Sequence, residues 1–355
     1  MLSERIAAFV RAPEAAGEGA FEGLVREAFA LHWAESPPVR RLADAAGVTP
    51  ESLGDWRQVP MVPALAFKTQ RLGIGEAREV FHSSGTTDAG PSVHHHPYPE
   101  LYRAVIDATF PGACLGGVGG LSRPPMLSLV PSREEAPRSS LAFMIDHVLR
   151  RWGGEGSRVA AAGRGLRAGE ARGFLAARQR DRRPAVVLGT AFSLVELVEA
   201  LERLGLAFRL PAGSVVFETG GYKGRSRELP RAELEAAMGR RLGVAPTAIV
   251  REYGMTELTS HFYARASAAG PTAGPGPFLA PPWVRFRILD PATLEESAGA
   301  APGLLAIFDL ANVGSALHVL TEDLAVADGG GFRLAGRAAG AELRGCSLLS
   351  EEMAG

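Results

Sequence analysis

The chain has 355 residues, 46% of them hydrophobic, enough to bury a large core and too many for a minimal domain, so one large α/β domain or two lobes is expected. A formal net charge of −1 and a pI near 6.7 create no field that would gather nucleic acid or an anionic membrane, and neither partner is implied. Met1-Leu2-Ser3-Glu4-Arg5 leads into a charged, helix-like stretch rather than an apolar signal core. With no uninterrupted apolar run of membrane-spanning length, a cytoplasmic location is expected.

Apolar residues recur at intervals of three and four in Phe21, Leu24, Val25, Ala28, Phe29 and Leu31, so residues 1 to about 58 read as helical. From Pro124 onward short apolar runs alternate with amphipathic segments. Met126 to Val130 precedes Ser140 to Arg151, and Arg158 to Ala162 precedes Ala168 to Arg180. Ala185 to Leu188, Ser193 to Leu204, Ser214 to Phe217, Arg231 to Leu242 and Ala248 to Arg251 continue the series. Strands alternating with helices of this length predict βαβ units and a large, mostly parallel sheet flanked by helices on both faces. The Pro/Gly-rich stretch from Gly270 to Pro282 reads as a long loop. Beyond it Trp283 to Leu289, Leu304 to Phe308 and Leu317 to Leu320 predict a smaller, β-rich, antiparallel C-terminal lobe. The expected organisation is a helical region over 1–80, an α/β nucleotide-binding core over 81–268, and a β-rich lobe and tail over 269–355.

Four segments carry candidate chemistry. In Phe81-His82-Ser83-Ser84-Gly85-Thr86-Thr87 clustered hydroxyls and backbone N–H groups around a glycine suit a polyphosphate, although an ordinary Ser/Thr/Gly turn has the same composition. No Gly-Lys-Ser/Thr follows at Walker spacing, which disfavours a P-loop NTPase. Glu218-Thr219-Gly220-Gly221-Tyr222-Lys223-Gly224-Arg225 follows a predicted strand. There paired glycines admit a flat base close to the backbone, and a basic solvated turn is the plain alternative. Tyr253-Gly254-Met255-Thr256-Glu257, again at a strand end, offers an aromatic face, a hydroxyl donor and a carboxylate for Mg²⁺. Thr321-Glu322-Asp323, Gly336-Arg337 and Arg344-Gly345-Cys346-Ser347-Leu348 supply a carboxylate for ribose hydroxyls, a guanidinium for sugar or phosphate oxygens, and a thiol.

In this order, across nearly the whole chain, these segments resemble the adenylate-forming (ANL) superfamily of acyl- and aryl-ligases, and within it the acyl-protein synthetase (LuxE-type) family. The resemblance implies ATP and Mg²⁺ as cofactors. Ser83, Ser84, Gly85, Thr86 and Thr87 would handle the pyrophosphate side of ATP, and Gly220 and Gly221 would border the adenine. Tyr253, leading into Gly254 and Met255, would stack on the base. Thr256 would meet the α-phosphate, Glu257 would carry Mg²⁺, Asp323 would bind the ribose, and Arg337 would lie beside the nucleotide. The implied reaction activates a carboxylic acid, fatty or aryl, as its acyl-adenylate and passes the acyl group to a thiol. That thiol would belong to Cys346 and then a partner reductase, to an acyl-carrier protein, or to coenzyme A.

Larger members of the superfamily carry a mobile C-terminal domain whose lysine assists adenylation. No lysine follows Lys223 here, so that domain is expected to be lacking, and Lys223, Lys68 or Arg337 is expected to offset the repulsion between carboxylate and ATP. The only lysines in this Arg-rich chain are Lys68 and Lys223, and a retained lysine suggests a need for a compact, hydrated charge. Cys346, beside Arg344, is the expected nucleophile, because a thiolate attacks an acyl-adenylate readily. Cys114 has no charged sequence neighbour and reads as a packed hydrophobe. The rival readings are an acyl- or aryl-CoA ligase resembling phenylacetate activators and a catalytically inactive nucleotide-binding partner subunit.

Overall fold

The computed structural model describes residues 1–83, 90–163, 165–220, 229–265, 276–297, 301–338 and 353. It divides into two compact units, one formed by Met1–Ala108, Met255–Phe262 and Pro277–Gly355, the other by Thr109–Gly254 and Tyr263–Gly276.

The first unit opens with α1 (Leu2–Arg11), α2 (Ala20–Glu35) and α3 (Pro37–Ala45). Phe21, Leu24, Val25, Ala28 and Phe29 of α2 are buried on one face, as their three-and-four spacing predicts. A short strand β1 (Val62–Pro63) and a single turn α4 (Ala66–Thr69) lead to the antiparallel hairpin β2 (Glu79–His82) and β3 (Val93–His96), followed by α5 (Pro99–Phe110), which ends across the boundary.

The second unit is the parallel sheet. Its strands are β4 (Met126–Ser128), β5 (Arg158–Val159), β8 (Val186–Thr190), β9 (Val215–Thr219) and β10 (Ile249–Tyr253), in the order β5-β4-β8-β9-β10 and parallel at every pairing. A small hairpin, β6 (Ala161–Ala162) with β7 (Gly165–Leu166), follows β5. The connecting helices α6 (Ser140–Trp152), α7 (Ala168–Asp181), α8 (Ala191–Arg203) and α9 (Arg231–Leu242) lie where the alternation predicted them. Leu127, Val187, Val216 and Ile249 pack on one sheet face against Phe174 and Leu175 of α7, Leu194, Leu197 and Leu201 of α8, and Leu234, Met238 and Leu242 of α9. Alternate strand residues face the other way, where Phe217 meets Phe110 and Phe110 stacks on Trp152 of α6. Each such aliphatic or aromatic burial stabilises by about 1.5–3 kcal/mol. Thr190 caps α8, its hydroxyl accepting from Ser193 N–H, so β8 turns directly into the helix.

After β11 (Phe262–Arg265), which straddles the boundary in sequence, the chain supplies the rest of the first unit: β12 (Phe278–Leu279), β13 (Val284–Leu289), β14 (Gly303–Asp309), β15 (His318–Asp328) and β16 (Gly331–Arg337). Strands β13 to β16 pair antiparallel in chain order, as the β-rich lobe required, and β12 adds antiparallel to β16. The first 108 residues belong to this unit through specific joints: β1 pairs parallel with β15, His32 Nε2–H donates to Val313 O at 2.8 Å, and His318 Nδ1–H donates to Val59 O at 2.9 Å. Among the described residues no helix is long and apolar enough to cross a membrane.

Candidate active site

In the parallel unit the second and third motifs leave the sheet side by side. Strands β9 and β10 are in register through Arg251↔Glu218 and Glu252↔Thr219. Gly220 and Tyr253 therefore each stand one residue beyond the last registered pair, at the carboxyl ends where open α/β sheets receive ligands. Gly220 has φ 66°, a left-handed conformation that glycine adopts without a Cβ penalty, and it ends the strand sharply. Tyr253 is buried. The Thr219 hydroxyl donates to Glu252 Oε2, tying the two strand ends together. One residue earlier, burial raises the pKa of Glu218, opposed by Arg251 and Arg231. Burial likewise lowers Arg251 to about 10.

In the other unit the hairpin β2–β3 frames the hydroxyl-rich run. Its neck is closed where Ser83 N–H donates to Ser92 O at 3.0 Å and Ser92 N–H donates to Ser83 Oγ at 2.8 Å. Ser84, Gly85, Thr86 and Thr87 lie outside the described residues, as do Gly221, Lys223 and Cys346. Side chains alternate along β3, so His94 and His96 are buried while Val93 and His95 are not. His94 Nδ1–H donates to the carbonyl of Thr256 at 2.7 Å. The strand that follows the first motif is thus hydrogen-bonded to the third.

The turn that receives it is held by further hydrogen bonds along its backbone. Leu258 N–H donates to Met255 O at 3.2 Å, and Asn312 Nδ2 donates to Glu257 O at 2.9 Å and to Ala316 O at 2.7 Å. Asp309 Oδ2 accepts from Thr259 N–H at 3.1 Å and Ser260 N–H at 2.8 Å, while its Oδ1 accepts from Ser260 Oγ–H at 2.7 Å and Ala311 N–H at 3.0 Å. Trp283 Nε1–H donates to Ser260 Oγ at 2.9 Å. Thr259 Oγ–H donates to Asn312 Oδ1 at 2.8 Å, which makes its oxygen the acceptor for His96 Nε2–H at 3.1 Å. Burial raises the pKa of Asp309 and the four donors oppose that rise. Burial also pushes His94 down to about 4, and His96 well below the ordinary range, so both rings are neutral donors. Glu257, the expected metal ligand, is buried beside these anchors.

Asp323 and Arg337 face each other in register across β15 and β16, with Arg337 Nε 3.2 Å from Asp323 Oδ1 and its Nη2 3.4 Å from Glu322 Oε2. Thr321 fixes the approach, its hydroxyl donating to Leu305 O at 2.8 Å and accepting from Asp323 N–H at 3.1 Å. Among the described residues no three His, Cys, Asp or Glu side chains converge as a metal cage. A Mg²⁺ carried by one carboxylate and nucleotide phosphates needs no such cage, and the Glu257 oxygens are the donor type it prefers. Cys114 is fully buried, which pushes its thiol far up and leaves it a packed hydrophobe. Sequence reasoning missed the supporting set of His94, His96, Asp309, Asn312 and Ser260. The available signal was the period-two placement of His94 and His96 directly after the hydroxyl-rich loop.

The family model described as "Acyl-protein synthetase, LuxE" matches residues 175–354. Among solved structures the chain is similar to 2-hydroxyisobutyryl-CoA ligase in an open conformation with 2-HIB-AMP and CoA. The TM-score is 0.62 with 17% identity, over 92% of this chain and 76% of that one. The same ligase in its postadenylation state with R3-HIB-AMP gives a TM-score of 0.61 at 17% identity, over 92% and 69%. ATP-bound MatB from Rhodopseudomonas palustris gives 0.49 at 16% identity, over 74% and 49%. No curated protein matches the sequence. At 17% identity the two 2-hydroxyisobutyryl-CoA ligase structures establish a shared fold.

Proposed function

Since this chain belongs to the LuxE acyl-protein synthetase family, we propose that it activates a fatty or aryl carboxylic acid with ATP and transfers the acyl group to a thiol through Cys346. The class is that of an adenylate-forming ligase. The observation that carries the residue assignment is the emergence of Gly220 and Tyr253 side by side at the carboxyl ends of β9 and β10, with Thr256 and Glu257 following directly on an anchored turn.

In the first half-reaction a carboxylate oxygen attacks the α-phosphorus of ATP and pyrophosphate leaves. Tyr253 and the Gly220-Gly221 backbone would bracket the adenine, Asp323 the ribose hydroxyls, and Arg337 the neighbouring oxygens. The Thr256 hydroxyl would donate to the α-phosphate, whose charge grows in the transition state. Ser83 to Thr87 would receive the departing pyrophosphate. Glu257 would hold Mg²⁺, which supplies charge neutralisation when bound. Lys68 or Lys223 would offset the repulsion between the two anions. Lys68 follows Phe67, whose ring lies edge-on to His94 at 5.7 Å, a placement close to the Thr256 anchor.

In the second half-reaction a thiolate attacks the acyl carbon, AMP leaves, and a thioester forms. Cys346 is the proposed first acceptor, and a reductase, carrier protein or coenzyme A the next. The CoA ligase among the fold neighbours makes coenzyme A the first external thiol to try. Exchange of labelled pyrophosphate into ATP across a panel of carboxylic acids tests the first half, and silence with every acid removes it. Cys346→Ser tests the second: exchange should persist while the covalent acyl-enzyme seen by mass spectrometry disappears. Undiminished acyl transfer would remove Cys346 from the mechanism.

A further inference from the structure

Apart from the Leu258 N–H to Met255 O bond that closes it, the Thr256-Glu257 turn is held by groups distant in sequence. Its anchors come from β3, from the end of β14 and from the segment after it. The anchor from β3 is unlike the rest, because β3 is the strand returning from the Ser83 neck. His94 is opposite Phe81 in the hairpin register, two residues past Ser92, which closes that neck.

We infer that His94 is a positioning residue for adenylation: its Nδ1–H sets the Thr256 peptide unit relative to the β2–β3 hairpin and its Ser83–Ser92 neck. The inference rests on the assignment of Thr256 to the α-phosphate. The geometry supports a role beyond filling space. A carbonyl only accepts, so the bond fixes the proton on Nδ1. The ring is held in place by Phe67 edge-on at 5.7 Å and by His96 at 5.0 Å, and His96 is itself fixed by Thr259. Asn312 holds the next carbonyl, and its amide is oriented without ambiguity because Nδ2 faces two carbonyls and Oδ1 faces a hydroxyl. With the Glu257 carbonyl so fixed, losing the His94 bond frees one end of the turn, and the Thr256 hydroxyl is no longer held at one spacing from the Ser83 neck. Misplacement by about 1 Å costs up to about 10²-fold in rate.

The test compares His94→Asn with His94→Gln. An asparagine amide nitrogen occupies the place of Nδ1 and can keep the bond, whereas a glutamine nitrogen falls near Nε2 and cannot. His94→Phe keeps the ring and removes the donor. Pyrophosphate exchange should fall about 10- to 100-fold in kcat for the Phe and Gln variants, with the KM for ATP changed far less, and Asn should recover most of the loss. Folding is followed in parallel by near-UV circular dichroism and urea midpoint. If the Phe variant does not fold, the Asn and Gln pair decides. Equal rates in Asn and Gln, or wild-type exchange in Phe, overturn the inference. A wild-type enzyme that exchanges with no acid overturns the adenylation reading and this inference together. Active wild type with unaffected His94 variants overturns this inference alone.

Discussion

The hydroxyl of Thr219 donates to Glu252 Oε2 between neighbouring parallel strands, one residue before Gly220 on one strand and Tyr253 on the other. The bond places a donor on a buried carboxylate at the edge where the second and third motifs leave the sheet. Thr219→Val keeps the shape and removes the donor, so Glu252 loses a partner it cannot replace with water. Stability should drop by about 1–3 kcal/mol, measured as a lower urea midpoint at unchanged slope, and Thr219→Ser should restore it. An unchanged midpoint in the valine variant would mean that Glu252 finds another donor.

Asp309 accepts from four donors, and a carboxylate has about four lone-pair sites, so its capacity is filled. Asp309→Asn would point amide hydrogens at N–H groups. A loss of about 3 kcal/mol or more is expected, against about 1–2 kcal/mol for Ser260→Ala, which removes one of four donors to the carboxylate and the acceptor of the buried Trp283 N–H. Chemical denaturation orders the two variants, and a Ser260→Ala loss as large as that of Asp309→Asn would refute this account.

His32, His94 and His318 are buried as neutral rings with pKa values lowered to about 4, burial outweighing the hydrogen bond each donates to a carbonyl. In the unfolded chain they titrate near the ordinary value of 6.5. Between pH 6.5 and about 4 the unfolded state therefore binds more protons, and stability falls as pH falls, by about 1.4 kcal/mol per pH unit for each ring. Urea midpoints from pH 7.5 to 4.5 should decline steeply below 6.5. Replacing His32, the ring remote in sequence from every motif, with Gln should flatten that slope.

Tyr253→Ala should raise the KM for ATP in pyrophosphate exchange by about 10-fold or more while Tyr253→Phe stays near wild type, because a stacked aromatic is worth about 1–3 kcal/mol per base. Glu257→Gln should depress kcat and raise the Mg²⁺ concentration needed for half-maximal exchange. A Tyr253→Ala enzyme with unaltered KM would move the adenine elsewhere.

Much of this protein was written in local pattern. The alternation of apolar runs and amphipathic segments located α6 to α9 and the strands between them to within a few residues, since period and strand length are properties of neighbouring side chains. It did not locate β2 and β3, whose few residues include a run of three histidines that no hydropathy pattern marks as half-buried. Nor did it identify β16 as a strand. The candidate residues Tyr253, Thr256, Glu257, Asp323 and Arg337 were proposed from a resemblance in residue type and order along the chain, which is a local property of the sequence. Their supports were not. Asp309, Asn312, Ser260 and His94 are ordinary polar residues in sequence, and each acquires its role only by being buried against a partner tens to hundreds of residues away. The sequence by itself determined the strand and helix order and the chemical groups on offer. Tertiary structure alone decided which buried donors meet which acceptors, because hydrogen-bond pairing in a desolvated interior depends on distance in space, on which no linear spacing reports.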